Sequence, residues 1–286
     1  MRFEKRKSWA IVKADGNQEG EKFRMPSGRD IDGGGRRDLV RNGTAEGDSL
    51  RLPRRSGGDL LFASENVCGG KLGTDRPEPW TPEGFRIAKE SEIAKLREWA
   101  DAENLWVKIE WLGEFRDGRR EHHLYRREDV LDVAFKITHG AGFGLCPANR
   151  DVVSGMISDW FAVFPATPSQ YLRRLILSNL IYPGMNALEG FCEIDGRFVI
   201  VTSQPFIAGR NATPLEIQRF MKARGFAKLC DATWFRPTDN LAIFDVGGSN
   251  LFATESGELV PIDVIPIQAD GSLGERLQEA YQRVTV

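Results

Sequence analysis

Cysteine and histidine are scarce in this 286-residue chain, and no sign of charge predominates. The four cysteines (Cys68, Cys146, Cys192 and Cys230) stand far apart, with no Cys-x-x-Cys pair. The three histidines are His122, His123 and His139, so no Cys/His group has zinc-ligand spacing. Reduced thiols are expected, as in a cytosolic protein. A formal net charge of −2 argues against a dedicated nucleic-acid binder. No run of about 18 uncharged apolar residues is present, so no transmembrane helix is expected. No apolar stretch of signal-peptide length follows the charged start, Arg2 to Lys7, and the protein is read as cytoplasmic. A Walker-A loop, a Gly-x-Ser-x-Gly elbow and a His-Glu-x-x-His motif are all absent, which removes several enzyme classes.

What is there changes character along the chain. Residues 1–80 carry Gly33-Gly34-Gly35, Gly57-Gly58, Gly69-Gly70 and the arginine pairs Arg36-Arg37 and Arg54-Arg55, with apolar residues at no sustained period. Such a segment buries too little apolar surface to offset the entropy of ordering, and a disordered tail is expected. Acidic residues interspersed among its arginines argue against nucleic-acid binding through it. Residues 81–286 read as one folded region. A helix is expected over 90–103, from Ile93, Leu96 and Trp99-Ala100. Leu105 to Leu112 alternates like a strand, Asp117-Gly118 makes a turn, and strands follow at Glu121–Tyr125 and Val130–Thr138, a three-stranded meander. The stretch 139–165 is ambiguous, with Gly140, Gly142 and Gly144 spaced like a flexible loop. The stripe at 171, 172, 175, 176 and 180 predicts a helix after Pro168. Strands are expected around the Asp195-Gly196 turn. Thr213-Pro214-Leu215-Glu216 opens a helix that Gly225 ends. Short strands at 241–244, 250–253 and 259–262 and a last helix at 274–284 complete an α+β order.

The chemistry concentrates in residues 242–267. Asp245 and Asn250 flank a four-residue loop containing Gly247 and Gly248, and Asp263 follows Asn250 by thirteen residues at the end of an apolar strand. A hairpin between them would bring Asn250 close to Asp263. A carboxylate and an amide oxygen so placed can hold Mg2+, a hard cation that favours oxygen ligands and phosphate partners. A further carboxylate nearby can orient or deprotonate a hydroxyl. Each residue also has a structural reading: Asp245 as a turn residue, Asn250 as a turn cap, Lys136 as a strand-edge lysine with its head in water. His122 and His123, adjacent on a strand, point to opposite faces and cannot easily share one metal.

This spacing resembles the catalytic loop and metal-binding segment of the protein-kinase superfamily. The chain departs from the eukaryotic pattern, with Ile243-Phe244 before Asp245 and Val264-Ile265 after Asp263. More specifically, residues ~90–268 resemble the kinase domain of polyvalent proteins from phages and conjugative elements, through Glu121-His122, Lys136-Ile137-Thr138, Tyr171-Leu172-x-Arg174-Leu175, Leu188-Glu189-Gly190-Phe191, Ser203-Gln204-Pro205, Ala212-Thr213-Pro214-x-Glu216-Ile217, Gly225-Phe226 and the 245–263 stretch. The resemblance implies a two-lobed protein-kinase-like fold, with a β-rich N-lobe (about 90–203) and a mixed helical C-lobe (about 204–286). It implies an ATP- and Mg2+-dependent phosphotransferase acting on a protein hydroxyl in preference to a small molecule, away from membranes. Lys136 would contact the ATP phosphates and Asp245 would serve the acceptor hydroxyl. Asn250 and Asp263 would bind Mg2+, Gln204 would sit in the hinge beside adenine, and the turn at Gly118 would cover the phosphates. The kinase lysine ordinarily pairs with an acid on the following helix. The 168–182 helix has none; Gln170 and, beyond the helix, Glu189 are the nearest candidates. A pseudokinase that binds a nucleotide or partner without turnover is therefore the alternative.

Overall fold

The structure is a computed structural model that describes residues 60, 63–64, 82–117, 121–139, 142–149 and 161–285. Two strands carry the logic of the first half. In β3 (Val130–Thr138) and β7 (Arg197–Pro205), strict alternation sends neighbouring side chains to opposite faces. Phe198 and Ile200 face one core, with Leu188, Phe191, Tyr171 and Leu172. Val199 and Val201 face another, with Phe135 and Ile137. Lys136 pairs directly with Thr202, so it stands on the Ile200–Thr202 face, opposite to Phe135 and Ile137. The sheet is completed by β1 (Glu114–Asp117), β2 (His122–Arg127) and β6 (Ala187–Ile194), in the antiparallel order β1-β2-β3-β7-β6.

Two helices cover the Lys136 side of this sheet. The first, α1 (Pro82–Ala102), contributes Leu96 and Ala100 to the core. The second, α2 (Pro168–Ile181), starts with a capping box in which Thr167 and Gln170 satisfy each other's neighbouring backbone N–H groups. Of its expected apolar stripe, Tyr171, Leu172 and Leu175 are buried and Ile176 is half-buried, whereas Leu180 is exposed. Leu60 and Ala63 are fully buried in the same core, and Ser64 is buried too, so burial reaches into the segment expected to be a disordered tail. The rest of residues 1–80, including Cys68, lies outside the described residues.

The second half repeats the alternation around a four-stranded antiparallel sheet, β14-β11-β10-β9, built from β9 (Ala227–Cys230), β10 (Thr233–Arg236), β11 (Leu241–Phe244) and β14 (Ile265–Gln268). Trp234, Leu241 and Ile243 pack on one side with Ile217, Phe220 and Met221 of α3 (Pro214–Ala223). Phe235, Ala242 and Phe244 pack on the other with Leu273, Leu277 and Ala280 of α4 (Gly271–Thr285). A three-stranded sheet joins β8 (Arg210–Asn211), β12 (Leu251–Ala253) and β13 (Leu259–Pro261), and β4 (Leu145–Asn149) pairs with β5 (Phe161–Pro165). The result is the mixed helix and sheet content expected of an α+β chain.

Several elements differ from the sequence expectation. Leu105–Leu112 is not the meander's first strand; that strand is β1, and Ile109–Leu112 is a 3-10 turn. Residues 105–107 instead dock on β6, where Phe191 N–H donates to the Leu105 carbonyl (2.9 Å) and Val107 N–H to the Phe191 carbonyl (2.7 Å). The ambiguous 139–165 stretch supplies the β4–β5 pair, and β9, β10 and β14 were not foreseen. Cys146, Cys192 and Cys230 are free thiols. Among the described residues, no helix is long and apolar enough to cross a membrane, and no group of three or more His, Cys, Asp or Glu could hold a metal ion.

Candidate functional site

The expected hairpin between Asn250 and Asp263 is present. Leu251 of β12 pairs with Pro261 of β13, and Ile262 N–H donates to the Asn250 carbonyl at 2.9 Å. Asn250 is buried, and its Nδ2 donates to the Asp245 carbonyl at 2.8 Å. That bond ties the end of the 245–250 loop to its beginning and fixes which way the amide faces. Its Oδ1, with only the Ser249 hydroxyl at 3.4 Å, is the atom left to take another partner. Asp245 is exposed and holds a left-handed backbone, φ 57°, which Asp tolerates better than most residues.

Asp263 follows β13 and meets two cations at the same oxygen. Arg174 Nη2 stands 3.1 Å from Oδ1 and Lys136 Nζ 3.7 Å from it. The same two side chains also hold the flanking backbone: Lys136 Nζ donates to the Ile262 carbonyl (3.1 Å) and Arg174 Nε to the Val264 carbonyl (3.2 Å). The segment 262–264 is thus clamped from β3 on one side and from α2 on the other. Both ion pairs fall on Oδ1, and the Asp263 side chain is 42% exposed. Asn250 Oδ1 and the Asp263 carboxylate are oxygen ligands of the kind Mg2+ prefers, carried at the two ends of one hairpin.

Glu121 balances the cluster. It lies just before β2, and its Oε2 is 2.5 Å from Arg174 Nη1, with the Arg174 side chain buried and that of Glu121 nearly so. Two cations and two carboxylates therefore share the site. Burial disfavours the charge on Asp263, but Lys136 and Arg174 outweigh it and hold the carboxyl at about 2. Burial pushes the Lys136 ammonium down, with Arg174 adding to the effect and Asp263 and Glu121 opposing it. Burial pushes Glu121 up, against the attraction of Arg174. Gly144 lets this cluster close: its φ is +80°, and a Cβ there would stand 2.9 Å from Glu121 Oε2 and 3.4 Å from Arg174 Nη1. That structural need accounts for one glycine of the 140–144 series.

Of the residues singled out in the sequence, Lys136, Asn250, Asp263 and the Asp245 backbone converge on one place. Gln204 on β7 pairs with Ala134 of β3, so it shares the sheet face of Lys136 and Thr202, and its buried Oε1 has no hydrogen-bond partner among the described residues. Gly118 lies outside the described residues. The polar candidates for pairing with the lysine, Gln170 and Glu189, have other work, in the α2 capping box and in accepting a hydrogen bond from the Ser203 hydroxyl. The acid near Lys136 besides Asp263 is Glu121, and the helix contributes a cation, Arg174. Sequence reasoning gave neither a role. The signal for Arg174 was its position inside the buried stripe of α2, since a charge there demands a partner. The histidines separate as expected: His122 Nε2 is 3.0 Å from the Tyr171 hydroxyl, while the His123 ring packs 4.2 Å from that of His139.

A groove of about 560 Å³ is lined by Arg97, Trp106, Lys108, Glu110 and Glu193 among others, and by none of the candidate residues. Its charges are mixed and do not converge, so the 136–174–263 cluster carries the functional argument. No curated protein matches the chain, and no solved structure does. Residues 152–268 match the model of the Serine/Threonine/Tyrosine Kinase found in polyvalent proteins, a span that includes Arg174, Gln204, Asp245, Asn250 and Asp263 and begins after Lys136. Over residues 152–268 the chain is therefore similar to the kinase domain found in polyvalent proteins, the family its sequence resembles.

Proposed function

We propose that this protein is an ATP- and Mg2+-dependent phosphotransferase with a two-lobed kinase-like fold, transferring a phosphoryl group to a protein Ser or Thr hydroxyl. In this reading the five-stranded sheet with its helices is the N-lobe and residues from about 204 the C-lobe. The observation that carries the proposal is the meeting of Lys136 with Asp263 beside the Asn250 hairpin, in a chain whose 152–268 segment matches a kinase family. Lys136 binds the nucleotide phosphates, and its hold on the Ile262 carbonyl keeps its head at the Asp263 segment. Asn250 Oδ1 and Asp263 Oδ2 would hold Mg2+, which neutralises phosphate charge. Asp245 takes the proton of the acceptor hydroxyl as the new O–P bond forms and the bond to the ADP oxygen breaks. Gln204, with its unpartnered acceptor on the Lys136 face, lies beside the base. The protein works in the cytoplasm, where ATP is available, with a protein as acceptor.

The test is transfer of labelled phosphate from ATP with Mg2+. Asp263→Asn and Asp245→Asn are the variants of choice, because Asn keeps each shape and tolerates the left-handed backbone at 245. Each should lower transfer by about 10²–10³-fold with the fold intact by circular dichroism. Full activity in both would sink the assignment.

A second reading is a pseudokinase, a nucleotide-binding module without turnover. It is favoured by the absence of an acid on α2 and by the guanidinium of Arg174 sitting on the candidate metal ligand. Thermal stabilisation by Mg2+ and ATP without any phosphate transfer would select it over the enzyme.

A further inference from the structure

Arg174 is the most buried charge at the site, and neither the family match nor the expected kinase parts give it a task. Its three donor nitrogens are divided with little redundancy. Nη1 goes to Glu121, Nη2 to Asp263 Oδ1 and Nε to the Val264 carbonyl. A guanidinium presents its donors in a rigid planar fork, so these bonds fix the direction of the Asp263 carboxylate as well as its place. Lys136 reaches the same Oδ1 from the other side. Both cations thus fall on Oδ1, and the side chain that carries Oδ2 is 42% exposed. Glu121 cancels the charge that Arg174 brings, so the clamp adds no net repulsion toward an incoming divalent cation.

We propose that Arg174 is a positioning residue for the phosphotransfer site: it docks α2 on the 262–264 segment and presents Asp263 Oδ2 for the metal–nucleotide complex. The inference rests on the phosphotransferase reading above. It differs from a plain structural role in what it predicts for metal dependence. A residue that only holds the fold would change thermal stability when replaced, with metal and nucleotide responses following the folded fraction. A residue that aims Asp263 changes the Mg2+ requirement selectively.

The experiment is titration of Mg2+ at fixed ATP, followed by thermal shift and by phosphate transfer, on full-length wild type, Arg174→Gln and Arg174→Lys. For folded R174Q the Mg2+ midpoint should rise about ten-fold, the scale of one lost charge-assisted hydrogen bond. Binding of ATP without metal should change much less. R174K restores the charge but not the fork, and its midpoint should fall between the two. If R174Q does not fold, R174K carries the test, with a midpoint raised about three-fold expected. A wild type that responds to Mg2+ and ATP, beside a folded variant with an unchanged Mg2+ midpoint, overturns the positioning role alone. A wild type with no Mg2+-dependent response to ATP overturns the phosphotransferase reading and this inference with it.

Discussion

Among single residues, His122 shows how the site's charges reach beyond the chemistry. Its ring is buried against Tyr171, and burial, with Lys136 and Arg174 nearby, lowers its pKa to about 3; the Asp263 charge opposes this and the His139 ring adds to it. The unfolded chain takes up a proton below pH ~6.5, whereas the folded protein refuses it until about pH 3. The unfolded state thus binds more protons in that window, and stability must fall as pH falls through it. Between pH 7.5 and 5 the loss from this one group is about 2 kcal/mol. Glu121 acts in the opposite sense, since its raised pKa lets the folded state take a proton first, and Asp263, held at about 2, enters only at more acid pH. Comparing urea midpoints of wild type and His122→Gln across pH 7.5 to 5 isolates the histidine; equal slopes would show that His122 is not held neutral. The same scale explains what the sequence could disclose. The hairpin that joins Asn250 to the Asp263 segment was legible because a hairpin is a local event, and the turn at Ser256-Gly257 announces it. The Arg174–Glu121 pair joins residues 53 positions apart, and nothing local in either segment points to the other.

At the scale of elements, the best-read parts were those whose local signals agree. Strand β3 and helix α3 fall within a residue of their expected bounds, because alternation, the Thr213 cap, Pro214 and Gly225 all give the same answer. Leu105–Leu112 misled because its alternation is genuine but its partner is not an ordinary strand neighbour. It meets β6 at the bulge around Gly190, through the single bridge Trp106–Phe191. Gly190 has φ +141°, and a Cβ there would lie 2.2 Å from the Leu105 carbonyl oxygen. Gly190→Ala should therefore expel the 105–107 segment and cost at least about 3 kcal/mol, combining backbone strain with a steric clash. Chemical denaturation measures the loss, and a variant as stable as wild type would mean that the segment does not need this close approach. Strands β9 and β10 escaped notice for another reason: each has four residues and includes a charge, Lys228 or Arg236, whereas β11, of the same length, is wholly apolar.

For the whole molecule, the polar clamp on residues 262–264 joins parts that are far apart in sequence. Lys136 comes from the five-stranded sheet, Arg174 from the helix that covers it, and Asp263 from between β13 and β14. The core beneath that sheet also draws on residues well before the family match, and this bears on where the folded unit starts. Leu60 and Ala63 are fully buried with Leu96, Ala100, Tyr171 and Leu172, and the compact unit runs from Leu52 to Val286. A chain starting at residue 82 would strip those contacts from α1 and α2 and leave their apolar faces open to water. A chain of residues 52–286 should melt at the temperature of the full protein. A chain of residues 82–286 should lose roughly 3 kcal/mol or more, on the scale of removing a fully buried leucine from a core, and its melting temperature should drop by several degrees. Loss of α1 packing would also loosen α2 and with it Arg174, so the shorter chain should need more Mg2+ for the same nucleotide-induced stabilisation. Equal melting temperatures for all three chains would show that the folded unit begins after Ser64, as the composition of residues 1–80 suggested.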